Sequence, residues 1–190
     1  MTRTSRMLSR VPLRGFPAVI DAGVRTLILG SFPSVRSLAK GQYYGHPQNQ
    51  FWRLVGRIVE EPLNDMEYEA RLKALLRHHI GLWDVLESCR RGGSLDSAIR
   101  DATHNRFERV TNVTRRLCRV CFNGKTAGRL EPYFAEQGYE THVMPSSSPA
   151  NTLAFSVKLR AWRRALSVNT RSVRKNTGHR SQVTGHPFPC

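Results

Sequence analysis

Carboxylates are scarce in this chain. Its 190 residues hold 14 Asp and Glu against 30 Lys and Arg, a formal net charge of +16. The scarcity is uneven. Residues 1–20 contain four Arg and no acid, and Glu140 is the last carboxylate, with eight basic residues after it. These two flanks carry 12 of the 16 excess charges, while residues 21–140 are nearly balanced at +4. Such a distribution suits a polyanion, either nucleic acid or an anionic membrane surface. Of the basic residues, 25 are Arg. That fits phosphate recognition by the planar guanidinium, although GC-rich coding is the plainer account.

Other absences narrow the class. No run approaches the ~18 apolar residues of a membrane helix, so a transmembrane protein is excluded. Cysteines stand at 89, 118, 121 and 190, and they form no framework. Cys118 and Cys121 are the close pair, but they lie in an apolar run that reads as a strand, where the two side chains point to opposite faces. A zinc site would need a second ligand pair, and none is supplied. A reducing, intracellular setting follows. Residues 1–20 lack the apolar core of a secretory signal. The start, MTRTSRMLSR, has the composition of an organellar transit peptide and equally of a plain bacterial N-terminus. The second is preferred, which places the protein in the cytoplasm at the nucleoid, with organellar targeting left open. Also absent are a G-x-S-x-G elbow, an H-E-x-x-H pair and a dinucleotide glycine fingerprint.

What is present is a globular composition, 39% hydrophobic and 23% charged. A domain of this length buries roughly 70% of its unfolded surface and needs no staple. Val24 to Gly30 is β-branched and apolar and reads as a buried parallel strand. A loop from Ser31 to Gln48 follows, then a helix over Asn49–Val59 and another over Tyr68–His79. Ile80 to Leu86 reads as a second strand. Residues 87–106 are polar and suggest a short helix at most. Arg119–Asn123 is a third strand, and Gly124 opens a helix to about Gln137. Glu140–Met144 is a fourth strand, stopped by Pro145, and a last helix spans Asn151 to Leu166. Strands alternating with helices imply a three-layer α/β/α sandwich around a central, mainly parallel sheet of about four strands. Three segments are expected: a basic arm at 1–14, a domain at 15–167 and a basic, disordered tail at 168–190.

Ligands of such sheets bind beyond the carboxyl ends of the strands. That rule selects three loops: Gly30–Gln48, Asn123–Thr126 and Pro145–Asn151. In Gly30-Ser31-Phe32-Pro33-Ser34, small residues would let a phosphate approach the backbone, and hydroxyls could donate to it. An ordinary turn explains this stretch equally well. Tyr43 to Trp52 (YYGHPQNQFW) is more specific, because two aromatics before a glycine suit stacking on a base. Asn49 would lie in the first turn of the following helix. His46 is better explained by loop hydrogen bonds than by general-base chemistry. Asn123-Gly124-Lys125-Thr126 fails as a phosphate loop, since Arg119 stands where the motif needs glycine, but a helix N-terminus with one Lys still attracts anions. Pro145 to Pro149 places three hydroxyls between two prolines. Asp84 is the sole acid near a strand end, and capping is its commoner role. No catalytic acid or base is evident.

Taken in order, these motifs, together with Gly81-Leu82-Trp83-Asp84-Val85, resemble the DNA-deoxyinosine (hypoxanthine-DNA) glycosylases of the uracil-DNA glycosylase superfamily, from about Gly15 to Leu166. The H-P-x-N-x-F-W element is shared with mismatch-specific uracil glycosylases, and the Met-Pro-Ser-Ser-Ser loop is similar to that of thymine-DNA glycosylases. The resemblance implies a cofactor-free, metal-free, monomeric hydrolase. It would flip a deaminated base (hypoxanthine, uracil or xanthine) out of double-stranded DNA, cut its N-glycosidic bond and leave an abasic site, without a membrane partner. Competing readings are a mismatch-specific uracil/thymine glycosylase and a non-catalytic DNA-binding module.

The resemblance also implies roles. Most superfamily members carry Asp or Asn at the position of Phe32, and a phenyl ring cannot orient water. Asn49 would take over catalysis, and Ser146 would donate weakly to the leaving base. Phe32, Tyr44 and Asn123 would contact the base, Tyr44 by stacking and Asn123 by hydrogen bonds. Gly30, Ser31, Ser34, Lys125, Ser147 and Ser148 would meet DNA phosphates. Ala150, Asn151 and Leu153 would border the loop that wedges into the gap left by the flipped base.

Overall fold

The computed structural model describes residues 11–92, 97 and 99–167. The tail expected at 168–190 and the first ten residues of the expected arm lie outside the described residues. In chain order the elements are β1 (Leu13–Arg14), β2 (Thr26–Gly30), α1 (Val35–Lys40), α2 (Phe51–Val59), α3 (Tyr68–Arg77), β3 (Ile80–Asp84), β4 (Leu86–Arg91), β5 (Ile99–His104), α4 (Glu108–Thr111), β6 (Arg119–Asn123), α5 (Glu131–Glu136), β7 (Glu140–Met144) and α6 (Phe155–Leu166).

The main sheet is parallel throughout, in the order β3-β2-β6-β7. Every residue of β2, β3 and β6 is buried, as apolar strands must be when both faces of a parallel sheet are covered. The period of two divides β2 between two cores. Ile28 packs with Leu54, Leu75 and Trp162 of α2, α3 and α6. Leu27 and Leu29 face the opposite way, with Phe107, Val110 and Phe134. Helices on both faces give the expected three layers. Among the described residues no helix is long and apolar enough to cross a membrane, and no cluster of His, Cys, Asp and Glu could hold a metal ion.

Four local expectations are corrected. First, residues 87–106 hold a hairpin, not a short helix. β4 pairs antiparallel with β5 and with β1, making a second, three-stranded sheet. β5 is polar and largely exposed, so it exists through its pairing and shows no alternation of its own. Second, the Ser31–Gln48 loop contains α1. Ser34 Oγ accepts the Ser37 N–H at 3.1 Å to cap its start, and Gly41 ends it at φ +63°. Third, the helix expected from Gly124 is divided into a 3₁₀ turn at Ala127–Leu130 and then α5. Fourth, the last helix starts at Phe155 rather than Asn151, because Asn151 Oδ1 instead accepts the Leu153 N–H at 3.0 Å in a tight turn.

Candidate active site

The carboxyl ends of all four parallel strands open into one cavity of about 670 Å³, where Gly30, Asp84, Asn123 and Met144 meet. Every residue assigned a site role from the sequence lines this cavity. The three loops singled out are therefore brought together, and their side chains can be taken one by one.

Asn123 ends β6 and is 9% exposed. Its Nδ2 donates to Ser147 Oγ at 2.8 Å, and its Oδ1 accepts the Ser147 backbone N–H at 2.8 Å. Ser147 is fully buried, and its carbonyl accepts the Gln50 N–H at 3.0 Å. Ser147, expected to meet a phosphate, is thus held in hydrogen bonds within the protein. Its hydroxyl and backbone N–H clamp the Asn123 amide.

Asn49 does not lie in the first turn of α2 as expected. It precedes the N-cap, Gln50. Its Oδ1 accepts the Phe51 N–H at 3.0 Å, which fixes the amide and leaves the Nδ2 hydrogens for a ligand. His46 does not line the cavity. Its Nδ1 accepts the Gln48 N–H at 3.1 Å, in keeping with a loop role.

Tyr44 stacks on Phe51, with ring centroids 3.9 Å apart and planes 13° from parallel. The ring face away from Phe51 is the one a base could cover. Tyr44 sits at φ +54°, a strained backbone for a bulky residue. Its neighbour supplies the anchorage. The Tyr43 N–H donates to Tyr68 OH at 2.9 Å, and Trp52 Nε1 donates to the Tyr43 carbonyl at 3.1 Å. Burial pushes the Tyr43 hydroxyl far above its ordinary pKa. Packing gives a reason of its own for a glycine at position 30. A Cβ there would collide with the Asp84 carboxylate and stand 3.0 Å from the Tyr44 hydroxyl. Phe32 is 6% exposed, and the Arg91 guanidinium lies 5.2 Å from its ring centroid.

The Pro145–Asn151 loop is a succession of short turns. Ser146 Oγ accepts the Ser148 N–H and Ser148 Oγ the Ala150 N–H, each at 3.2 Å. Gly124, at φ +102°, packs directly against Ser146, whose Cβ would be 3.0 Å from any Cβ added there. Ser31, Ser34 and Ser148 are half-buried on the cavity lining, and Lys125 is exposed beside them. Ala150 and Leu153 are also exposed, Leu153 at 48%.

Sequence reasoning missed Lys158. It lies in α6 and is 1% exposed. Its Nζ donates to the Asn151 carbonyl at 2.7 Å and to Gln50 Oε1 at 3.0 Å. Burial holds its pKa below the usual lysine range. One lysine on an amphipathic helix gives no periodic signal that separates it from a solvated one. Asp84 was noted but given no site role, and it is buried on the cavity wall.

Known proteins match this arrangement along most of the chain. The family model described as the uracil DNA glycosylase superfamily matches residues 17–169. A hypoxanthine DNA glycosylase of Methanosarcina acetivorans is 52% identical over 138 residues, 73% of this chain and 87% of the relative. One from Methanosarcina barkeri is 45% identical over 152 residues, 80% of this chain and 96% of the relative. A solution NMR structure of a Methanosarcina acetivorans protein, provisionally named a uracil DNA glycosylase, superposes with a TM-score of 0.75 at 47% identity. It covers 82% of this chain and 97% of its own. With its site built at the strand ends of this fold and a matching family model over nearly all of the described domain, the chain belongs to the uracil DNA glycosylase superfamily.

Proposed function

We propose that the protein is a hydrolytic DNA glycosylase that flips a deaminated base, hypoxanthine foremost, out of DNA and releases it. The observation that carries this reading is the fixed amide of Asn123. The Ser147 backbone N–H can only donate, so the atom facing it must be Oδ1. One Nδ2 hydrogen and one Oδ1 lone pair remain. They complement a carbonyl beside a ring N–H, the edge that hypoxanthine presents and that xanthine and uracil share. Adenine presents an amino donor beside a ring acceptor. Reading adenine would require the amide to turn, setting Nδ2 against the Ser147 N–H. A buried donor left unpaired costs about 1–3 kcal/mol, roughly ten- to a hundredfold against the undamaged base. Hypoxanthine is placed first because both Methanosarcina relatives carry that name, and a cavity of about 670 Å³ has room for a purine.

Breaking the glycosidic bond leaves positive charge on the sugar and sends the bonding electrons to the base. A water oxygen then bonds to the sugar carbon, and its proton ends on the base or in solvent. The protein's task is to hold these groups in place while charge develops. Ser146 accepts the Ser148 N–H, so its own hydrogen can go to the departing base. Asn49 orients the water through Nδ2, because Phe32 offers no polar atom. Ser31, Ser34, Ser148 and Lys125 receive the phosphates of a duplex bound by a monomer. Flipping costs a few kcal/mol, least at a damaged pair.

The test is a panel of duplexes carrying inosine, uracil, xanthine or adenine at one position, treated with enzyme and then alkali to nick abasic sites. Nicking at inosine and none at adenine is expected. Binding without nicking on every duplex would favour the DNA-binding module instead.

A further inference from the structure

The buried ammonium of Lys158 calls for a reason. Its two hydrogen-bond partners are neutral oxygens, and among the described residues no carboxylate lies within ion-pair distance of it. An apolar side chain of the same length would be easier to bury, since a charge taken out of water without a counter-charge is destabilising. Lys158 does something methionine could not: it delivers hydrogens to two separate loops. One bond goes to the Asn151 carbonyl, in the loop that carries exposed Leu153. The other goes to Gln50, next to Asn49. The Gln50 backbone N–H in turn holds the Ser147 carbonyl, and Ser147 holds Asn123. A single hydrogen-bonded path therefore joins the loop at the cavity rim to the groups on the cavity floor.

We propose that Lys158 is a positioning residue that ties the wedge loop to the Asn49 and Asn123 segments, so that filling the gap in the duplex and seating the flipped base occur in one rigid frame. This rests on the glycosylase reading above. The tie matters where a stacked, paired base must be displaced and its gap filled. It matters little where the base is already unpaired.

The experiment compares Lys158→Met with the wild type under enzyme excess. Base release is measured from an inosine in a full duplex and from the same inosine in an internal loop of unpaired bases. Release from the duplex should fall roughly tenfold or more, the loss expected for hydrogen bonds from a charged donor. Release from the loop substrate should stay within about threefold of the wild type, the same threefold margin corresponding to well under 1 kcal/mol. Gln50→Ala cuts the same tie at one end and should show the same split in smaller degree, which keeps the test open should Lys158→Met fail to fold. Equal loss on both substrates, or no loss on the duplex, would overturn the inference, as would a wild type unable to act on the loop substrate. A wild type inactive on both substrates would overturn the glycosylase reading itself.

Discussion

Replacing Asn49 by alanine removes two things at once. Asn49 Oδ1 accepts the Phe51 N–H at 3.0 Å, at the start of α2. Losing that part-buried turn bond just ahead of the helix should destabilise the fold by about 1 kcal/mol, which lowers Tm by roughly 2–4 °C in a chain of this size. The Nδ2 hydrogens are lost as well, and with them the group that orients the attacking water. One preorganised polar group contributes about 10²–10³ in rate, so base release should fall by at least about a hundredfold. Asn49→Ser separates the two effects, because a serine hydroxyl can make the same side-chain turn, if more weakly, but has no amide to reach the cavity. Its Tm should return toward the wild type while its rate stays low. Both are read from single-turnover release on an inosine duplex and from thermal melts of the same preparations. If Asn49→Ala releases base at the wild-type rate, or if Asn49→Ser regains rate and stability together, Asn49 holds the turn before α2 and nothing more.

Tyr44→Ala should lose stacking worth about 1–3 kcal/mol. This is read as a higher enzyme concentration for half-maximal release, and an unchanged value would remove Tyr44 from base binding. Ser147→Ala leaves Asn123 Nδ2 without its buried acceptor and should slow release on inosine while affinity for undamaged duplex stays put. A weaker, less salt-dependent affinity for undamaged DNA would instead assign Ser147 to a phosphate. Glu140 bonds Arg119 at 2.7 and 2.9 Å and His142 at 2.9 Å. Burial opposes its ionisation, but these partners outweigh burial and hold its pKa below the usual carboxylate range. The stability this lends is present above the unfolded value of about 4.3 and is lost as pH falls through the lower folded value. Glu140→Gln should therefore flatten that acid limb in melts taken as a function of pH, and an unchanged limb would refute the assignment.

Of the strands that were legible, β2, β3 and β6 are buried along their whole length, whereas β7 lies at the sheet edge and is exposed or half-buried up to Met144. Arg119–Asn123 and Glu140–Met144 were read from apolar and β-branched residues ending at a glycine or a proline, and β6 and β7 have those bounds. The hairpin was not legible, because Ile99–His104 is exposed and polar. Its strand character comes from partners distant in sequence, and propensity is a weak guide at such positions. The short helix α1 did leave a trace. Ser34 and Gly41 are a start and a stop, and those caps outweigh the loop-like composition between them. Pro132 in the first turn of α5 is a similar trace, since proline begins helices readily and here marks where a single longer helix is interrupted.

The candidate site divides along another line. Which residues face the cavity was legible, because strand order sends three separated loops to one end of the sheet. What each residue does there depends on partners that no motif names. Gly30 and Ser147 both look like phosphate contacts in a row of small and hydroxylated residues. One is small because Asp84 and Tyr44 crowd it. The other is sealed at zero exposure against an amide 24 residues away in sequence. In each case the packing supplies a reason for the residue type that no motif names. Lys158 presents the opposite difficulty. Its residue type predicts solvent, and its burial can be seen only once α6 is packed against the N-terminal end of α2. The residues that orient this site are thus written into the sequence less plainly than those that line it, since orientation arises from contacts between loops and lining from the sheet.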